Sequence, residues 1–148
     1  LERAWSEAYH AAEAIPLEPA RLAAIAPACL PALRFVMHPS LRVVRSIWPI
    51  VQIWAMNIDR SVPGAVDIER SGENAVVLRP STDVEVRTVS AGVAAFMLSL
   101  ESGAPVVGAI ARAIEADPAF DLTRALGDLL AIGAVVAWST REDATPMP

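Results

Sequence analysis

Apolar residues recur along the first stretch of the chain with a helical period. Trp5, Ala8, Tyr9 and Ala12 fall at i, i+3, i+4 and i+7, one face of a 3.6-residue repeat. They predict a helix over residues 2–14, ended by Pro16. Pro19 suits a first helical turn, and Leu22, Ile25 and Ala26 supply the stripe of a second short helix, Glu18–Ala26. Pro27 and Pro31 then break the chain. Leu33–Met37 and Leu41–Arg45 read as strands, and His38-Pro39-Ser40 between them is a turn signal, so a hairpin is expected. Pro49 opens a helix through Ile50, Ile53, Trp54 and Asn57. Asp59–Gly64, closing on Pro63-Gly64, has the composition of a linker.

The second half has a sharper pattern. Ala75–Leu78 is apolar and rich in valine, Pro80-Ser81-Thr82-Asp83 is a turn, and Val84-Glu85-Val86-Arg87 alternates as a strand with one wet face. Ser90 can accept a free N–H of a first helical turn, and Val93, Phe96, Met97 and Leu100 form the stripe behind it. Gly103 ends that helix. Pro105 opens another, with Val107, Ile110, Ala111 and Ile114 read as its inner face, and Asp117-Pro118 stops it. Asp121 caps a third helix, with Leu122, Leu126, Leu129 and Leu130 inward and Gly133 as its stop. Val135–Trp138 is a closing strand. The expected fold class is α+β. A helix and hairpin segment over residues 1–62 precedes a winged-helix-like domain over 65–140, and a disordered tail covers 141–148. Two strands, three helices and a strand make the winged-helix order.

Composition narrows the class. Of 148 residues, 54% are apolar and 20% charged, which excludes a disordered chain and leaves more apolar surface than one small core needs. The longest apolar runs fall short of the ~18 residues of a membrane span. No basic-then-apolar leader opens the chain, and a cytoplasmic location is expected. Leu1-Glu2-Arg3-Ala4-Trp5 reads as helix interior with no cap before it, as in a piece of a longer protein. The net charge of −5 is uneven: residues 1–64 balance at +1 and residues 65–140 at −5. All twelve basic residues are arginine.

The candidates for chemistry are few. His10 and Glu13 share a helix face at i, i+3, a spacing seen in metal sites, but no second cluster completes a ligand set, so no metal or other cofactor is expected. A single cysteine, Cys29, excludes an internal disulfide and reads as a small buried hydrophobe. Neither a phosphate-cradling glycine loop nor a serine-centred nucleophile motif occurs. No catalytic residue is assigned, and a non-enzymatic role is expected. Arg42, Arg45, Trp48 and Trp54 combine the two residue types most common in interface hot spots and are read as a partner surface; the alternative is core tryptophans with solvated arginines. The third helix of a winged helix is the one that enters DNA, and here it carries one base, Arg124, against Asp121 and Asp128. Nucleic acid is therefore disfavoured, because phosphate neutralisation supplies most of the binding energy.

Four stretches carry a family resemblance. Ala8-Tyr9-His10-Ala11-Ala12-Glu13-Ala14, Met37-His38-Pro39-Ser40-Leu41-Arg42 and Arg45-Ser46-Ile47-Trp48-Pro49-Ile50-Val51-Gln52-Ile53-Trp54 resemble the bacterial HvfC/BufC family. Asp117-Pro118-Ala119-Phe120-Asp121-Leu122, on to Gly133, resembles its C-terminal end. The similarity runs to about residue 138, and that family's N-terminal helical region has no counterpart here. The family also bears a DNA-binding label, which keeps a transcriptional regulator as the alternative function. The resemblance implies a partner of multinuclear non-haem iron oxidases that modify ribosomal precursor peptides, in a setting often linked to copper, with the iron ligands on the oxidase.

The second half also resembles the PqqD-like peptide recognition element, in which a leader peptide adds as a strand and rests on the third helix. Transferred to this sequence, the guest strand lies along Val84–Val89 and packs against Asp121–Ile132. The expected peptide-binding residues are Val84, Val86, Arg87, Thr88, Arg124 and Asp128, with Leu122, Ala125 and Leu129 lining the groove. Arg87 and Arg124 are expected to pair with peptide acids. Two readings of that strand edge stand: it is free for a guest, or it is covered by residues 1–64.

Overall fold

The computed structural model describes residues 1–58, 66 and 72–140. The expected Asp59–Gly64 linker and the tail at 141–148 lie outside the described residues. Among these there are seven helices and two small antiparallel sheets, a mixed α+β fold. The order is α1 (Glu2–Tyr9), α2 (Pro19–Ala23), a 3-10 turn (Pro27–Ala32), β1 (Arg34–Met37), β2 (Arg42–Arg45), α3 (Ile50–Ile58), β3 (Asn74–Leu78), β4 (Glu85–Val89), α4 (Ala91–Glu101), α5 (Val106–Ala116), α6 (Leu122–Ala131) and β5 (Val135–Ser139).

The expected β1–β2 hairpin does not form. β1 pairs with β5, Phe35 opposite Trp138, and β2 pairs with β3, Val43 opposite Val76. The His38-Pro39-Ser40 turn closes on itself, the Leu41 N–H donating to the His38 carbonyl at 2.8 Å, and its two ends are tied to different sheets. The His38 N–H donates to the Ala134 carbonyl at 2.8 Å, and the Ser40 hydroxyl accepts the Arg79 N–H at 2.9 Å. Both sheets therefore join residues from either side of the expected 62/65 division, and Leu33, Phe35 and Leu41 share one buried cluster with Phe96, Met97, Leu100 and Leu129. That division does not separate two cores.

In the larger sheet the order is β2-β3-β4. Ala75, Val76, Val77 and Leu78 are all buried, as a central strand covered on both faces requires. Val76 and Leu78 pack into the cluster with α4. The opposite parity, Ala75, Val77 and Arg79, faces α1, and Arg79 donates to the α1-end carbonyls of Ala8 at 3.3 Å and Ala11 at 2.7 Å. The first helix stops at Tyr9 rather than running to residue 14, and this buried guanidinium satisfies the carbonyls at its end.

The caps read from the sequence are present. Ser90 Oγ accepts from Val93 N at 3.3 Å, Asp121 Oδ1 accepts from Arg124 N at 3.1 Å, and Gly103 and Gly133 hold the positive φ that ends α4 and α6. The inner face of α5 is displaced by one position from expectation. Val106, Ala109 and Ala113 are buried, whereas Val107 and Ile114 are about half exposed. Nearly every residue of the first two turns is apolar, so periodicity alone leaves the phase open.

Candidate functional site

The site grows from three local decisions. The turn at Pro80–Asp83 ends β3 and returns the chain as β4, which pairs with β3 on one side only. Among the described residues no strand pairs with the outer edge of β4, and β2 sits on the far side of β3, while α3 also lies in contact with β4. Second, α4 begins at Ser90, immediately after β4, and its Gly92 lies against the α5–α6 connection. A Cβ there would stand 2.9 Å from the Asp117 Cβ and 3.2 Å from the Phe120 Cβ. Third, the Asp117 carboxylate accepts the Ala119 N–H at 3.0 Å and closes that connection into a tight turn. The Phe120 ring then packs against Phe96 at a tilt of 46°, with ring centroids 5.2 Å apart.

These decisions hold α6 away from β4 and leave a groove of about 660 Å³ between them. That volume lies within the range of ligand pockets, roughly 300–1,000 Å³. Its apolar lining includes Val89, Val93, Met97, Phe120, Ala125 and Ile132. Polar groups flank it: Arg87, Thr88 and Ser90 on the strand side, and Asp117, Asp121, Arg124 and Asp128 on the helix side.

Of the expected peptide-binding residues, Arg87, Thr88, Arg124 and Asp128 line this groove. Val84 and Val86 do not. Residues directly opposite in an antiparallel ladder share a face. Arg87 faces Val76 and Val89 faces Asn74, on the groove side, while Val86 is opposite Val77 and belongs to the other face. Val84 precedes β4 and has the parity of Val86. Ala125 lines the groove as expected, but Leu129 is fully buried and Leu122 packs against the core. Both arginines already have acids beside them. Arg87 meets Glu85 at 2.6 Å, and Arg124 stands 3.9 Å from Asp128. Val93, Asp117 and Phe120 also line the groove and are not among the expected residues. The Asp-Pro pair at 117–118 signals a helix stop in the sequence, and its position against Gly92 has no signature there.

The expected partner residues are not gathered into one site. Arg42 is engaged inside the chain, donating to Glu7 at 3.0 Å and to the carbonyls of Pro39 at 2.9 Å and Leu41 at 2.6 Å. Glu7 is held below the usual carboxylate range by its bonds from Arg3 and Arg42. Arg45 is exposed at the end of β2, Trp48 is about half exposed beyond it, and Trp54 is half-buried on α3. Ile47, Trp48, Ile53 and Ile58 give this region its exposed apolar character.

A second polar cluster lies under α1. His38, Ser40 and Arg79 are buried together. The Nε2–H of His38 donates to the Ala14 carbonyl at 3.2 Å, while Nδ1 accepts from the Ser40 hydroxyl at 2.8 Å and the Ser40 N–H at 3.2 Å. Burial, and the nearby Arg79 charge, lower the His38 pKa, against the raising effect of Ala14. Ser40 is wholly inaccessible, so this pair offers no nucleophile to a substrate. His10, Glu13 and Cys29 are all exposed; Cys29 is not the buried hydrophobe expected. Among the described residues no group of three or more His, Cys, Asp or Glu side chains is placed to hold a metal, and no helix is long and apolar enough to cross a membrane. Comparison with protein-family models, curated proteins and solved structures found no match.

Proposed function

We propose that this chain is a non-catalytic recognition module of winged-helix type that binds an extended peptide as an added strand on β4, against α6. One observation carries the reading: no strand among the described residues pairs with the outer edge of β4, and that same strand forms one wall of the groove. An edge strand offers a row of N–H and C=O groups that an extended chain satisfies one by one, while every second side chain enters the pocket alongside. The three helices after the sheet, with the last forming the opposite wall, suit the recognition-element resemblance. On that resemblance the guest is a ribosomal precursor peptide and the second partner is the multinuclear non-haem iron oxidase that modifies it. The exposed Trp48 and its apolar neighbours offer a surface for the oxidase, whereas Arg42, engaged with Glu7, is no longer assigned to it.

Charge opposes the DNA-binding alternative. The exposed part of α6 presents Arg124 with Asp128 beside it and Asp121 at its start. Binding duplex DNA there forfeits the counterion-release term. The test is a titration of the chain with a short cysteine-containing ribosomal precursor peptide, followed by backbone amide shifts. Shifts over Glu85–Val89 and Leu122–Ala131 support the reading. Saturable binding that moves only Trp48–Ile58 places the peptide elsewhere, and sequence-selective duplex binding at ~150 mM salt, near physiological ionic strength, favours the regulator.

A further inference from the structure

We infer that the β4–α6 groove selects a strand carrying a basic side chain next to its apolar anchor, rather than an acidic one. This rests on the strand-addition reading above. The sequence alone suggests the opposite, because Arg87 and Arg124 are the bases that line the groove among the described residues. In the structure both arginines stand next to an acid of the chain itself, Glu85 and Asp128. What remains is Asp117 and Asp121. Each carboxylate accepts one backbone N–H, from Ala119 at 3.0 Å and Arg124 at 3.1 Å, and neither has a cationic partner among the described residues. Both line the groove beside Phe120, whose ring belongs to its apolar wall. A guest strand seating an apolar side chain against Phe120 therefore brings a flanking side chain to two carboxylates with no counter-ion. Lysine or arginine there gains attraction, and glutamate or aspartate is repelled.

The size of the preference follows from the exposure of the pair. An exposed ion pair is a weak contact, so two carboxylates acting together give about 2- to 30-fold between a basic and a neutral residue. The preference shrinks in salt, since screening shortens from about 8 Å at 0.15 M to about 3 Å at 1 M.

The experiment selects a displayed library of random twelve-residue peptides on the full chain. Enriched peptides are then titrated against labelled protein, wild type and the double variant Asp117→Asn, Asp121→Asn. Asparagine keeps both backbone caps and removes only the charge. The expected result is enrichment of Lys or Arg beside a large apolar residue, amide shifts over Glu85–Val89, and at least about 3-fold weaker binding to the double variant. Peptides that shift Glu85–Val89 but show no basic bias, or bind the double variant equally well, overturn the charge inference and leave the groove reading standing. Peptides that never move Glu85–Val89 overturn both. Circular dichroism of the double variant, expected to match wild type, separates loss of charge from loss of fold.

Discussion

Replacing Arg79 with methionine removes a buried cation that ties α1 to the sheet. Its stem already lies in the protein, so methionine fills most of the same space and the change isolates the head group. The guanidinium donates to Ala8 O at 3.3 Å, Ala11 O at 2.7 Å and Ser81 O at 2.9 Å, and stands 3.8 Å from Glu13. These contacts differ in weight. Glu13 is 90% exposed, so that pair contributes little. The carbonyls of Ala11 and Ser81 belong to residues that water reaches, and losing their charged partner costs about 1 kcal/mol between them once water replaces it. Ala8 is fully buried, its carbonyl keeps only the long bond from the Ala11 N–H at 3.4 Å, and losing the charged donor there costs about 1–3 kcal/mol. The expected loss is about 2–4 kcal/mol, a large share of the ~5–15 kcal/mol that holds a typical domain together. Arg79→Lys should fall in between, since one ammonium cannot span three carbonyls set in a fork. Urea unfolding gives the free energies, and hydrogen exchange at the amides of Trp5–Tyr9 shows whether α1 is the element released. A loss below about 0.5 kcal/mol for Arg79→Met, the usual scatter of surface substitutions, would refute the bracket. So would α1 amides that exchange no faster than in wild type.

Three further outcomes follow from the same structure. His38 is held neutral by burial, so its folded pKa lies below the ordinary value; stability is complete above pH ~6.5 and declines as the pH falls toward the folded pKa, because the unfolded chain takes the proton first. Urea midpoints measured from pH 7.5 to 5 should show this decline in wild type and a shallower one in His38→Gln. Gly92→Ala sets a methyl carbon 2.9 Å from the Asp117 Cβ, and overpacking of this kind costs about 1–3 kcal/mol; thermal unfolding measures the loss, and amide shifts over Asp117–Asp121 should report the displaced groove wall. Phe35→Ala, at a side chain only 5% exposed, should lose about 3–5 kcal/mol, and tryptophan fluorescence and far-UV circular dichroism should fall in one shared transition because the two halves have one core.

Local signals in the sequence were sufficient wherever a single residue decides the backbone. Ser90 and Asp121 accept the N–H groups they were expected to accept, and Gly103 and Gly133 sit at positive φ where the helices end. What no local signal carries is pairing. β1 and β2 are adjacent in sequence and separated by a turn, yet each bonds to a strand far along the chain, and the two ends of the turn are tied to Ala134 and Arg79. The groove shows the same limit. Its strand and helix were identified, but which side of β4 faces it depends on Arg87 lying opposite Val76, a register fact. A shift of one residue would have put Val84 and Val86 inside and Arg87 outside. Likewise the two arginines read as anion-binding from type alone. Their neighbours Glu85 and Asp128, at i−2 on a strand and i+4 on a helix, were visible, but whether they would turn toward the arginines was not.

The pairing of Arg34 with Ser139 also sets a clock. During synthesis β1 leaves the ribosome about a hundred residues before its partner exists. At ~5–20 residues per second, the delay is roughly 5–20 s. Throughout it Leu33 and Phe35, both destined for the interior, have no β5 to lie against, and for the first part of it no α4 to cover them. The nascent segment around β1 is therefore a client for whatever holds apolar segments in solution, and β5, the last strand among the described residues, closes the smaller sheet.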